Sequence, residues 1–258
     1  MEAHPPTLGE FVRSLRKHGL REKRGGLTRD ELAREMHTSS AYVAKLESGR
    51  GKSPGVSVLD SIAKVFALTP AETLHLYNLA RQTPTEREIH QSPATDPLAT
   101  AQDATALEAL APHAAAYLDE RWNLITCNST YDHVFPGLVA DGNVLRWFFT
   151  GPTSRQVMVD WEAEAQLTVG WFRALMGRYY DEAWALSLLE QLSLSDDFLD
   201  FWKAGNVTFG REDPIMRVRD RNSELVTHFH VQVTSQLSAR NEPVQFFLGT
   251  RIVSADAG

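Results

Sequence analysis

The sequence predicts an all-α amino-terminal domain of five helices, joined by a linker to an α+β domain of about five antiparallel strands with inserted helices. Three observations carry this. Between Leu8 and Ala80, apolar residues recur at three- and four-residue spacing in short runs, the period of helices packed on one another. After YNLAR the chain turns polar, and Pro84, Pro93 and Pro97 break any helix. Beyond that, runs of alternating apolar residues flank a stretch of helical period. The expected divisions are 1–81, a linker at 82–103, and 104–254.

Within the first domain, the run LTRDELAREMHTSSAYVAKLESGR at 27–50 is the most informative. Thr28 followed by Glu31 is a capping box, so a helix starts near Arg29, with Leu32, Ala33 and Met36 on its apolar side. The pattern lapses at His37-Thr38-Ser39, where Ser39 can cap a second helix that begins at Ser40, buries Val43 and Leu46, and stops at Gly49. A break of only three residues makes the two short helices cross steeply, and the small Ala33 permits it. This is the geometry of a helix-turn-helix, whose second helix enters a DNA major groove; a plain helical corner in a core has the same local pattern.

Charge is divided along the chain. The whole carries 26 Lys+Arg against 33 Asp+Glu, which argues against indiscriminate nucleic-acid binding. Residues 1–80 hold 12 Lys+Arg against 9 Asp+Glu, a net +3, which leaves −10 for residues 81–258. A DNA-reading head on an acidic body has this asymmetry. Arg21, Lys23 and Arg24 form a basic loop ahead of the motif, suited to a backbone phosphate. Arg13, Arg16 and Lys17 on the preceding helix fit a solvated charged face as well.

In the second domain, AAAYLDERWNLITCN reads as two strands about a turn at Asp119-Glu120-Arg121. From Arg155 the period is helical, and Val157, Trp161, Ala165, Thr168, Phe172, Leu175 and Tyr179 make one stripe. Shorter helices follow at Glu182 to Leu192 and Asp196 to Lys203. VTFGREDPIMRVRD, ELVTHFHVQVTSQL and VQFFLGTRIV alternate again and read as three antiparallel strands.

Composition adds bounds. With 258 residues, 43% of them hydrophobic, there is room for two packed domains. Cys127 is the one cysteine, so no internal disulfide and no multi-cysteine zinc site can form, and a reducing cytoplasm is the expected compartment. No signal peptide or membrane-spanning run is visible. There is no phosphate-binding glycine loop, nucleophile elbow or zinc-protease motif, so no enzyme, catalytic residue or metal is expected. His228 and His230 share a strand face with Gln232 and Thr234, which reads as a solvated face rather than a ligand pair.

Two resemblances sharpen this reading. The run at 27–50 resembles the helix-turn-helix of the xenobiotic-response-element (Cro/repressor-like) family, with its L-T-x-x-E-L-A start and L-E-x-G-[RK] end; His37 stands where that family usually has glycine. The resemblance implies base contacts at Ser39, Ser40, Ala41 and Lys45, and phosphate contacts at Arg29 and the Arg50 to Lys52 segment. The blocks ERWNLITCNSTYDHVF, NVLRWFF, DWEAEA and SDDFLDFWKAGNV resemble the ligand-binding domain of the MmyB-like actinobacterial transcription regulators, which implies a PAS-like body, with a fatty acid held in some members. The family's Trp-Asn pair is Cys127-Asn128 here, which removes a ring beside Asn128.

An apolar cavity is also conceivable from the residues themselves, since Trp122, Trp147, Phe148, Trp161, Trp171 and Phe172 gather near the sheet-to-helix crossover; the same rings could simply fill a core. Arg146 and Arg155 could pair an anionic head group, or a surface carboxylate. The expected partners are a double-stranded DNA operator, a small apolar or fatty-acid-like ligand with no required cofactor, and a second copy of the chain in a homodimer, without a membrane. Two other readings stay open: a second domain that is a protein-interaction module, and a haem-binding PAS sensor.

Overall fold

The computed structural model describes residues 3–18, 26–50, 53–80, 104–208, 210–237 and 243–252. The expected linker and the basic residues Arg21, Lys23, Arg24 and Lys52 lie outside them. In chain order the elements are α1 (Leu8–His18), α2 (Arg29–Glu35), α3 (Ser40–Glu47), α4 (Val56–Val65) and α5 (Pro70–Ala80), then a short α6 over 104–108. Strands β1 (Ala114–Asp119) and β2 (Leu124–Cys127) follow, then α7 (Ser129–Val134), α8 (Leu138–Asp141), α9 (Val144–Phe149) and α10 (Thr153–Val157). The chain continues through α11 (Trp161–Met176), α12 (Ala183–Leu192), α13 (Asp196–Ala204), β3 (Ile215–Arg219), β4 (Val226–Leu237) and β5 (Pro243–Ile252). No helix among the described residues is long and apolar enough to cross a membrane.

By packing, the chain forms two units, residues 1–88 with 167–209, and residues 89–166 with 210–258. In the first, the start signals work as read. Thr28 and Glu31 exchange bonds across the first turn of α2, the Thr28 N–H donating to Glu31 Oε2 at 2.7 Å and the Glu31 N–H to Thr28 Oγ1 at 3.2 Å. Ser39 caps α3 by accepting from the Tyr42 N–H at 3.1 Å. His37 takes φ 52° at the turn, the left-handed conformation that glycine would adopt without strain, and Gly49 takes φ 67° just past α3.

The core of this unit holds Val12, Leu15, Leu32, Val43, Ile62, Phe66 and Leu76, and it also takes in Ala174 and Val207. Those two come from the stretch that the sequence pattern groups with the second domain. α12, α13 and the part of α11 from Leu167 onward thus share a unit with the first five helices. Gly177 closes this packing, because a Cβ there would stand 2.7 Å from Nδ1 of the buried His75.

The second unit is a five-stranded antiparallel sheet of order β2-β1-β5-β4-β3, with helices inserted between β2 and β3. Phe229 and Val231 point into the core, while His228 and Gln232 are exposed, as the alternation predicts. The stripe from Val157 to Tyr179 is not one helix. α10 ends at Val157, Met158 forms a bridge with Val218, and the Val159 N–H donates to the Arg217 carbonyl at 3.1 Å before α11 starts at Trp161. β3 is an edge strand of the sheet, and its open backbone groups capture this segment in competition with the helix.

Candidate functional site

The candidate DNA-reading surface is α3 with its flanks. Ser39, Ala41, Lys45 and Arg50 are exposed and Ser40 is half-buried, while Val43 is turned wholly inward. Of the residues given base contacts by resemblance, Ala41 and Lys45 therefore lie on the outward side of α3 and Ser39 at its cap, and the turn at His37 joins it to α2.

α3 is held from behind by a buried carboxylate. Glu47 is 2% exposed. Its Oε1 accepts from Arg16 Nε at 2.5 Å and its Oε2 from Arg29 Nε at 2.9 Å, while its carbonyl accepts from Arg13 at 2.6 Å. Burial pushes the Glu47 carboxyl up, but hydrogen bonds from Arg16 and Arg29, with their charges, hold it below the usual carboxylate range. Gly9 of α1 abuts the same carbonyl, and a Cβ there would come within 2.7 Å of Glu47 O.

Two readings change here. Arg16 is not part of a solvated face, being 8% exposed and spent on Glu47 and on the Leu27 carbonyl. Arg29, given to phosphate by resemblance, is engaged by Glu47 with its side chain 47% exposed, so its outer edge alone faces solvent. The one signal for Glu47 in the sequence is its place four residues after Val43, on the same buried helix face.

In the second unit, the aromatic residues form a connected series rather than scattered fillers. Phe247 on β5 meets Tyr131 at 5.3 Å and Phe135 at 5.8 Å between ring centroids. From Phe135 the contacts pass to Trp147 at 5.9 Å, then Phe148, Phe149 and Trp161. Trp147 Nε1 donates to the Pro136 carbonyl and Trp161 Nε1 to Ser154 Oγ, each at 3.0 Å, so both indoles are fixed at their polar edge. Trp122 is 7% exposed and holds φ 67° at the β1–β2 turn, a strained conformation for a bulky residue, where its carbonyl accepts from the Val144 N–H.

The expected ligand residues do not all come together. Trp122, Trp147, Phe148 and Trp161 belong to the second unit, whereas Trp171 and Phe172 belong to the first, where Phe172 packs on Phe198 and Trp202. Asn128 is 1% exposed and wholly occupied: Oδ1 accepts from the Ala115 and Tyr131 N–H groups, and Nδ2 donates to the Leu107 and His113 carbonyls. It ties α6, β1 and α7 together, and its place directly after β2 is where a helix cap is needed. Arg146 is ion-paired with Asp141 at 3.1 Å, and Arg155 lies over the Trp161 ring at 3.6 Å.

Two of the three carboxylates of DWEAEA are structural too. Glu164 takes a two-pronged pair from Arg211, and Asp160 pairs with Arg217. Burial, with Asp132 and Glu108 nearby, pushes the Cys127 thiol up to about 11, which keeps it neutral and a poor nucleophile. Among the described residues, no three His, Cys, Asp or Glu side chains gather as a metal site.

A family model described as the MmyB-like transcription regulator ligand binding domain matches residues 101–247, and one described as a helix-turn-helix domain matches residues 7–76. The first match runs through residues 167–209, which pack with the helix-turn-helix, so family stretch and packing unit divide the chain differently. No curated protein matches this chain at a meaningful level of similarity.

Proposed function

The chain belongs to the family of the MmyB-like transcription regulator ligand binding domain, which here follows a helix-turn-helix domain, and from that membership we propose a sequence-specific DNA-binding regulator that answers to a small apolar, fatty-acid-like molecule. The observation that carries the DNA half is the exposed side of α3, where Ser39, Ala41 and Lys45 stand clear of a core that Val43 and Glu47 anchor. The ring series from Phe247 to Trp161 supports the ligand half, since an apolar molecule entering there would meet a continuous aromatic lining.

Two measurements test the halves separately. Selection of bound duplexes from a random pool should enrich one motif, and a flat pool sinks the regulator reading. Native mass spectrometry of the purified full chain should show a small apolar molecule travelling with it. Specific DNA binding that no acyl compound alters would instead favour a body that is a protein-interaction module.

A further inference from the structure

The first unit contains a cleft of about 250 Å³ whose lining comes from the stretches of both family matches. It is lined by Glu10 and Phe11 of α1, His75 of α5, Arg173 of α11, and Trp202 and Lys203 of α13, all of one unit. Its chemistry is cationic. Arg173 lies over the Trp202 ring at 4.1 Å and donates one terminal N–H to the Trp202 carbonyl, but its buried Nε makes no hydrogen bond among the described residues. No carboxylate among them stands within ion-pair distance of it.

The charge of Glu10 acts on Arg173, and Glu10 also accepts from Thr7 Oγ1 at 2.9 Å and lies 3.5 Å from His4 Nε2. Burial pulls the Arg173 guanidinium down to about 10, against the attraction of Glu10. His75 is 0% exposed, and neither ring nitrogen makes a hydrogen bond of ordinary geometry, although the Ala174 carbonyl lies close to the ring. Buried donors left unspent beside a cleft are costly unless something fills it.

The geometry points to a binding site for a compact organic carboxylate, held by Arg173 with Lys203 at the rim and packed on Phe11 and Trp202. The carboxylate would pair with the Arg173 guanidinium and answer the Lys203 charge, which is now shared with Asp200 at 2.9 Å. Its place gives it a readout. Phe11 and Glu10 sit on α1, whose Gly9, Arg13 and Arg16 bear directly on Glu47 at the end of α3, so an occupant presses on the helix that carries the recognition helix.

The site is independent of the ring-lined second unit, and a titration of the full chain followed by ligand-detected NMR tests it with benzoate and its neutral isostere benzamide. Benzoate should bind, benzamide about tenfold or more weakly, and Arg173→Gln should lower benzoate affinity about tenfold. Lys203→Glu, at an exposed position, should weaken benzoate several-fold and leave benzamide unchanged; it decides the matter if Arg173→Gln does not fold. Equal binding of the two compounds, no benzoate binding, or benzoate binding that survives both substitutions overturns the site, and none of these touches the DNA-binding or acyl-ligand reading.

Discussion

Lys45 is exposed on the outward side of α3, whereas Arg50 stands past its end at Gly49, and this difference in place should appear in binding. Lys45→Ala should weaken specific binding by about 1–3 kcal/mol and relax discrimination at one operator position, while Arg50→Ala should lower affinity almost evenly across sequences. Quantitative gel-shift titration against the selected motif and its single-base variants distinguishes the two. Arg29→Ala should do more than remove a charge, because Glu47 then keeps Arg16 but loses its second guanidinium. Asn128 has four main-chain partners and no spare valence, so Asn128→Ala should lower the melting temperature rather than merely alter ligand affinity, by roughly 2–4 kcal/mol of stability.

At the scale of the element, α3 and α5 each carry a buried group that titrates. Glu47 lies below its ordinary value of 4.5, so its contribution is complete above that value and is lost as pH falls through the lower native value. His75 acts earlier on acidification. Burial, with the charge of Arg173, pulls its ring from 6.5 down to about 3, so the unfolded chain takes up a proton that the native state refuses. Stability of the first unit should therefore be full above pH 6.5 and decline progressively toward pH 3. His75→Phe should flatten that decline between pH 7 and 5, measured as melting temperature by circular dichroism; an identical slope in both proteins counts against this account. Gly9→Ala should be destabilising without any charge change, since its Cβ would meet backbone and not a yielding side chain.

For the whole molecule, a single recognition helix reads too few bases, and two heads on half-sites about one DNA turn apart are the usual solution. A homodimer through residues 104–254 would meet that need. Val226 and Ile252 are 41% and 42% exposed on β4 and β5, and Ile252→Arg should shift the chain toward monomer in sedimentation velocity at micromolar concentration. A chain that is already monomeric there sinks the dimer. A ligand shifts operator affinity tenfold only by favouring one arrangement by about 1.4 kcal/mol. α11 is the element to test, because Trp161 to Gln166 go with the sheet and Leu167 onward with the five helices. Trp161→Ala should make operator affinity indifferent to the proposed acyl ligand while DNA binding itself persists.

Much of this protein was readable from the chain because local chemistry decides local structure. Thr28 with Glu31, Ser39 and Gly49 determine where α2 and α3 begin and end, His37 marks the left-handed turn, and alternation places β4 and β5 with His228 on the outer face, while β3 is shorter than the alternating run that contains it. What the chain did not reveal depends on partners distant in sequence. Glu47 looks like a surface acid until Arg16, 31 residues away, is folded beside it, and Asn128 looks like a pocket residue until the Leu107 and His113 carbonyls reach it. The break before Trp161 required an edge strand, β3, that comes some fifty residues later and competes for its backbone. Nor could a period of three and four say which core a helix joins: Ala174 and Val207 pack with the first five helices because burial rewards any apolar face that fits, and only the tertiary structure chooses among them.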